Sequence, residues 1–326
     1  MRITVLAGGI GAARFLRGLR AAAPDADVTV VGNTADDITL HGLRICPDLD
    51  TVMYTLGGGV HPDQGWGRAE ETFVVAGELA AYGSAPEWFT LGDRDLATHV
   101  VRTRLLGAGR PLSEVTDVLC RRWRPGVRLL PMTDERVETH VVLPAADATD
   151  GGEGGGPGAV HFQEWWIRMR GVPDAERFEV VGLGAARPAP GVLEAVAAAD
   201  VVVLAPSNPV VSLGPVLGVP GLREAVRSSP ARVVGVSPII GGAAVRGMAE
   251  SCLRTVGVPA SAAAVAGLYA DLLDAWVVDP VDEAGARAGG PAGVDVVAHP
   301  ALMTDLAAAA ALAGTVLAAA DPVATA

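Results

Sequence analysis

Residues 2–22 read RITVLAGGIGAARFLRGLRAA. Arg2 to Ala7 carry the aliphatic and β-branched side chains of a short strand. Gly8, Gly9 and Gly11 then crowd a turn, and Phe15, Leu16 and Leu19 recur beyond it at helical spacing. A strand that passes through a glycine turn into a helix is the opening unit of an open α/β sheet. It also aims backbone N–H groups at whatever anion sits at the helix N-terminus. The spacing departs from the dinucleotide fingerprint, because a GxGxxG counted from Gly9 puts Arg14 at its third glycine. The stretch therefore reads in two ways, as a nucleotide or phosphate cradle or as a tight structural turn.

Working outward, DVTVVGNTADD (27–37) reads as a second strand with a polar loop after it. Further strand candidates are VRLLPM from Val127, ETHVVL from Glu138, RFEVVGL from Arg177, DVVVLAP from Asp200, ARVVGVSP from Ala231 and AWVVD from Ala275. Several are continuous Val/Leu runs, as expected of strands covered on both faces. Helical patterns lie between them: GVLEAVAAA, GLREAVRSS, RGMAESCLRTVG and SAAAVAGLYADLLDA. The alternation predicts a Rossmann-like α/β fold, a doubly wound and mostly parallel sheet, with residues 1–326 as a single α/β domain. Three helical patterns with Gly or Pro stops predict a helical insertion at about 60–125. The acidic, glycine-rich 147–159 reads as a flexible hairpin tip. Ala-rich LAAAAALAGTVLAAA, from Leu306, follows Thr304 and Asp305 and reads as a C-terminal amphipathic helix.

Composition narrows the function. The formal net charge is −12, which argues against a nucleic-acid partner. All 25 basic residues are arginine. Without lysine there is no P-loop GKS/T and no Schiff base, so kinase-type and pyridoxal chemistry are excluded. Cys46, Cys120 and Cys252 are far apart and form neither a zinc motif nor a CxxC. No apolar run reaches 18 residues, and Met1-Arg2 lead directly into a strand, so the expectation is a cytoplasmic chain with no membrane span. The arginine-only, Ala/Gly/Pro/Val-rich composition points to a GC-rich, actinobacterial genome.

Five stretches carry candidate chemistry. AGGIGAAR (7–14) is the first. In GNTADD (32–37), Asn33 suits a ribose or base, and Asp36 and Asp37 suit a cation or a hydroxyl; turn and cap chemistry explains the same residues. In CPDLDTVMYTLGG (46–58), Asp48 and Asp50 point to one side if the chain is extended there, ahead of a helix capped by Asp50 or Thr51. Asp50 then reads as that N-cap, or as a Mg²⁺ ligand or base. FTLGDRDLATH (89–99) is a dense polar cluster in which Arg94 suits a phosphate and a helix N-terminus is the plainer reading. APSNP (205–209) places Ser207 and Asn208 just past a strand, and VSPIIGG (236–242) places Ser237 likewise. These loops converge on one edge of a parallel sheet, the edge where ligands sit in open α/β folds.

Taken together, AGGIGAARFLRGL, NTADDITLHGLRICPDLDTVMYTLGG, GWG, WFTLGDRDLATHVVRTRLLGAGRPLSEVT, LLPMTDERVETHV, HFQEWW, APSNPVVSLGPVL, VSPIIGG and ALMTD resemble the 2-phospho-L-lactate transferase family of coenzyme F420 biosynthesis. The actinobacterial members of that family are called phosphoenolpyruvate transferases. The motifs run in order from residue 3 to about residue 305. The resemblance implies a homodimer and a Mg²⁺-dependent transfer of a phosphoenolpyruvyl or 2-phospho-L-lactyl group. The donor is guanosine diphosphate-linked and the acceptor is the ribityl hydroxyl of the deazaflavin Fo; GMP leaves and (dehydro) F420-0 forms. It also implies functional partnership with the guanylyltransferase and the glutamate ligase of the pathway. Carried over by motif, Asp50 and Thr90 contact Fo. The family often has lysine where Thr90 stands and after SPIIGG, where this chain has Ala243 and Ala244, with Arg246 nearby.

The chemistry asks for positioning, a cation against phosphate charge and an acceptor for the hydroxyl proton. Asp36 and Asp50 are the candidate metal ligands, and Asp50 or Asp48 the proton acceptor. Gly8, Gly9 and Gly11 are placed under the phosphates. Ser207 and Asn208 are placed at the guanosine, with Asn33 and Ser237 nearby. Trp66, with Trp88 and Phe89, is the candidate wall for the flat deazaflavin, and core packing explains the last two equally well. Two alternatives stand beside this reading: a non-catalytic nucleotide-sugar-binding regulator of the same fold, and an NAD-dependent oxidoreductase. Base composition leans toward the enolpyruvyl donor.

Overall fold

The computed structural model describes residues 1–84, 86–144, 158–245 and 247–321. Seven strands form the central sheet, in the order β14 (Asp295–Ala298), β13 (Ala275–Val278), β10 (Arg232–Val236), β9 (Val201–Leu204), β1 (Arg2–Ala7), β2 (Asp27–Gly32) and β5 (Arg128–Pro131). Every neighbouring pair is parallel. The chain lays down β1, β2 and β5 toward one edge, then crosses to the other side of β1 for β9, β10, β13 and β14. This is the doubly wound arrangement, and its switch point lies between β1 and β9.

The continuous apolar runs are explained by the two cores. Leu6, Val31, Leu130, Val202 and Leu204 face one side, against α6 (Val192–Ala198), α7 (Leu213–Gly218), α8 (Leu222–Arg227) and α10 (Ala262–Gly267). Ile3, Val5, Val30, Leu129 and Val203 face the other, against α1 (Gly9–Ala22), α2 (Pro47–Leu56), α5 (Leu112–Trp123) and α12 (Leu306–Ala319). Asp305 caps α12 by accepting from the Ala308 N–H at 2.8 Å. Two further helices, α9 (Ala249–Thr255) and α11 (Glu283–Gly289), complete this C-terminal part.

Two strands expected from the sequence lie elsewhere. β6 (Glu138–Val142) and β8 (Arg177–Val181) join β7 (Ala159–His161) in a separate antiparallel sheet, β7-β6-β8. β8 alternates exposed and half-buried residues, and that alternation fits a sheet with one solvated face. Residues 147–157 and Arg246 lie outside the described residues; the strands on either side of the former, β6 and β7, pair antiparallel. Two small hairpins, β3 (Ile38–Leu40) with β4 (Leu43–Ile45) and β11 (Ile239–Ile240) with β12 (Ala243–Ala244), sit beyond β2 and β10.

Between β4 and β5 the chain is helical: α2, α3 (Val74–Ala81), α4 (Asp93–Gly107) and α5. The α2 start corrects the expectation of an extended segment at Asp48. The helix begins at Pro47, whose fixed φ and missing N–H suit the first helical position. Asp48 and Asp50 therefore stand in its first turn, where carboxylates are favoured by the helix dipole. Neither Asp50 nor Thr51 caps the helix; Cys46 holds the cap position without a side-chain bond. Among the described residues no helix is long and apolar enough to cross a membrane.

Candidate active site

A cleft of about 680 Å³ opens at the C-terminal edge of the central sheet, over the switch point. Because the strands are parallel, the loops after β1, β2, β9 and β10 all reach it, and α2 adds to its floor. Gly8, Gly9, Gly11, Asp36, Asp48, Asp50, Trp66, Thr90, Ser207, Asn208 and Ser237 all line it. The four loops thus come together in one place.

The glycine turn is built by close packing. Gly9 has φ +72°, a left-handed conformation that other residues adopt only with strain. A Cβ on Gly11 would lie 2.3 Å from the Pro206 carbonyl oxygen, so only glycine lets the β9 loop come this close. The Gly8 N–H donates to Ser207 Oγ at 3.0 Å, joining the two loops across the switch point. Asn208 Oδ1 accepts from the Val210 N–H at 2.9 Å, and Ser237 Oγ donates to the Ile239 carbonyl at 2.9 Å. Ser207, Asn208 and Ser237 therefore shape their own loops as well as line the cleft.

Asn33 sits one layer below the cleft, fully buried. Its Nδ2 donates to Asp48 Oδ2 at 3.0 Å and to the Val211 carbonyl at 3.3 Å, and its Oδ1 accepts from the Ala35 N–H. It ties the end of β2 to α2 and to the loop after β9.

The four aspartates have different surroundings. Asp36 is buried and Oδ1 has no hydrogen-bond partner; burial, then the charges of Asp48 and Asp37, push its carboxyl well above the usual range. Burial also lifts Asp48 to about 6, against the bonds it accepts from Asn33 and Gly9. Asp37 is turned away from the cleft toward Arg44, at 3.6 Å, and burial lifts it to about 7. Asp50 is raised by burial, but the charge of Arg102 and its hydrogen bond oppose the shift.

Asp50 belongs to a network that reasoning from the sequence missed. Arg102 Nη2 donates to Asp50 Oδ1, and Arg102 Nη1 lies 3.1 Å from His99 Nδ1. A guanidinium only donates, so Nδ1 accepts and the imidazole proton sits on Nε2, 3.3 Å from Asp95 Oδ2. Tyr54 Oη donates to Asp95 Oδ1 at 2.6 Å. Burial opposes the ionisation of Asp95, yet its bonds to His99 and Tyr54 outweigh that and hold the carboxyl below its ordinary range. Asp50 and Tyr54 are four apart on α2, and Asp95, His99 and Arg102 stand at i, i+4 and i+7 on α4. Each set shares one helix face, and the polar spacing was the signal available in the sequence.

Asp36 and Asp48 are therefore the pair that fits a cation: two buried carboxylates with interacting charges and, among the described residues, one oxygen unpartnered and no arginine on either. No group of three or more His, Cys, Asp or Glu forms a metal cage among the described residues. A cation here would take its other oxygens from phosphates and water, the usual habit of magnesium. Above the acids the walls turn apolar. Trp66 is half exposed, and Phe89, Trp166, Ile167 and Leu302 continue the rim. Trp88 packs edge-on to Phe89, 5.8 Å between centroids, and does not line the cleft.

Comparison with known proteins agrees along the whole chain. The family model described as 2-phospho-L-lactate transferase CofD matches residues 3–299. A protein of Streptomyces griseus named phosphoenolpyruvate transferase is 59% identical over 324 residues, covering 99% of each chain. Proteins of the same name from Thermobifida fusca and Mycolicibacterium smegmatis are 59% and 52% identical, each over 96% of both chains. A crystal structure of a UPF0052-family protein from Bacillus halodurans superposes with a TM-score of 0.60 at 18% identity, covering 97% of this chain and 99% of its own, a likeness of fold alone.

Proposed function

We infer the reaction of this cleft from its family: the chain belongs to the 2-phospho-L-lactate transferase CofD family and is a transferase enzyme. That sets aside the non-catalytic regulator and the oxidoreductase. The reaction we propose moves a phosphoenolpyruvyl group from a guanosine diphosphate-linked donor to the ribityl hydroxyl of Fo, in coenzyme F420 biosynthesis. The hydroxyl oxygen forms a bond to the phosphorus of the enolpyruvyl phosphate. The bond from that phosphorus to the GMP oxygen breaks, and GMP leaves with the electron pair. The acceptor proton passes to a carboxylate or to water.

The observation that carries this reading is the acidic floor at the switch point. Asp36 and Asp48 are buried without a counter-charge among the described residues, an arrangement that is costly for folding and useful to an enzyme that binds a cation with its substrate. Bound between them, Mg²⁺ would neutralise phosphate charge as it develops. Gly8 to Gly11 face the donor phosphates from the α1 N-terminus, with the Ser207–Asn208 loop beside them for the nucleoside. Thr90 and the apolar rim about Trp66 suit a flat deazaflavin, whose ring would shut water from the reacting phosphorus. The enolpyruvyl donor is preferred over phospholactate because the relatives at 52–60% identity carry the phosphoenolpyruvate name.

The test combines the chain, Fo, GTP, phosphoenolpyruvate, Mg²⁺ and the guanylyltransferase, with mass spectrometry for a new deazaflavin phosphodiester. Product with phosphoenolpyruvate, lost when Mg²⁺ is chelated, is expected. No phosphodiester with either phosphoenolpyruvate or phospholactate sinks the reading.

A further inference from the structure

The geometry points to Arg102 as a positioning residue that, braced by His99, Asp95 and Tyr54, sets Asp50 as the carboxylate meeting the acceptor hydroxyl while Asp36 and Asp48 take the cation. This assignment rests on the transfer reaction proposed above and divides its labour among the aspartates.

Arg102 is 1% exposed; both of its terminal nitrogens are bonded, while Nε has no hydrogen-bond partner among the described residues. Its Nη2 holds Asp50 Oδ1, and its Nη1 reaches the Arg44 carbonyl at 3.3 Å and His99 Nδ1 at 3.1 Å. The planar fork is thus fixed at both prongs. His99, also 1% exposed, has Nε2 3.3 Å from Asp95 Oδ2, a close polar contact without hydrogen-bond geometry, and Asp95 accepts from the Tyr54 hydroxyl at 2.6 Å. Tyr54 returns to α2 one turn after Asp50. The chain of contacts closes into a ring between two helices: Asp50 and Tyr54 on α2, Asp95, His99 and Arg102 on α4.

Two features separate this ring from a plain helix-to-helix brace. It ends in the cleft, since Asp50, Asp95, His99 and Tyr54 all line it, whereas Arg102 does not; of the two cleft residues that Arg102 touches, Asp50 and His99, the first is the one through which it acts on the hydroxyl. It also leaves Asp50 with capacity to spare, because Oδ2, itself buried, accepts no hydrogen bond among the described residues and stands 3.8 Å from His99 Nδ1. The charges point the same way. The Arg102 guanidinium already neutralises Asp50 and repels a second cation brought to it, whereas among the described residues no arginine is paired with Asp36 or Asp48. Asp50 is thus the oriented acceptor of a substrate proton or hydrogen bond, and the other two are left for metal.

A double-mutant cycle tests this under single-turnover conditions, with enzyme in excess so that slow variants still give a rate. Arg102→Lys keeps the charge but loses the fork. In the native background it should lower the transfer rate about 10–100-fold, the loss of one well-made charged hydrogen bond. GDP affinity, followed by calorimetry, should stay within about twofold, because the nucleotide side is untouched. In an Asp50→Asn background the same change should cost almost nothing further, because Arg102 acts on the hydroxyl through Asp50. Tyr54→Phe, the mildest break in the ring, should lower the rate with the melting temperature held. Losses that add in the double variant, or a rate loss matched by an equal loss of GDP affinity, would overturn the assignment and leave Arg102 a structural residue. A wild-type chain that makes no product overturns the transfer reaction and this assignment together; an active wild type with additive losses overturns only the assignment.

Discussion

Helices α2 and α3 belong to the same stretch of chain and invert each other's chemistry. α2 buries eight of its ten residues, and Asp48, Asp50, Thr51 and Thr55 are among them. α3, VVAGELAA, is apolar along nearly its whole length and buries none. Val74 is 68% exposed and the neighbouring Tyr82 86%. Buried polar groups and exposed large apolar ones are the two anomalies that carry information. The first marks the working side of the molecule, where carboxylates are kept from water at a cost in stability. The second marks a segment held by its ends: Asp93 accepts from the Val74 and Val75 N–H groups at 3.0 Å and from the Thr72 hydroxyl, while Glu71 accepts from the Arg94 and Asp95 N–H groups at the start of α4. The start of α3 is held by the first residue of α4, and the start of α4 by an acid from the segment that leads into α3.

The largest expected effect is on α2. Asp48→Asn should lower turnover about 10²–10³-fold, the usual scale for removing one group from a charge-stabilising site, while the melting temperature at neutral pH stays level or rises. An unfolded variant with normal turnover per folded molecule would show that the α2 acids are structural and erase the contrast. The next effect is the pH dependence of that stability difference. Burial raises the folded Asp48 to about 6, above its unfolded value, so the native state holds its proton longer. The wild type should therefore lose stability as pH rises between about 4 and 6, by order 1–3 kcal/mol, relative to Asp48→Asn. Denaturant titrations of both proteins across pH 4–8 measure this. A difference that is flat with pH would mean that Asp48 carries its charge at no folding cost. Added Mg²⁺ should shrink the gap above pH 6.

On α3 the effects are smaller. Asp93→Ala should speed amide exchange across 74–81 while leaving exchange in α1 and α2 unchanged; equal exchange in α3 would show that the helix is held by something other than its cap. Smallest of all, Val74→Ser should change stability by no more than about 0.5 kcal/mol, as for any exposed site. A loss of several kcal/mol would show that α3 is covered in solution.

The same contrast explains what the sequence revealed. The glycine turn and the Val runs were legible because parallel strands are buried on both faces and read as uninterrupted apolar stretches. β14 was not, because DVVA is a short, half-buried edge strand. β6 and β8 read as strands, but nothing in their alternation says which sheet they join. The loops at Gly8, Asp36, Ser207 and Ser237 were legible as sites because strand ends in such folds face ligands. The α4 trio was not, because the helix turns inside out: its buried residues are Thr98, His99 and Arg102, all polar, so a search for an apolar stripe passes over them. Asn33 looked like a residue for the ligand and instead holds Asp48 from below, a distinction of one layer that only depth reveals.

The central place of β1 has a consequence for synthesis. Its partner on one side, β2, follows at once, but its partner on the other, β9, begins at Val201. The ribosome adds about 5–20 residues per second, so roughly 10–40 seconds separate the two. Throughout that time the nascent chain carries an apolar strand open along one whole edge, and the site it helps to form has only half its loops. β1 waits for a strand made much later, and a newly made molecule is inactive and prone to wrong pairings until β9 arrives.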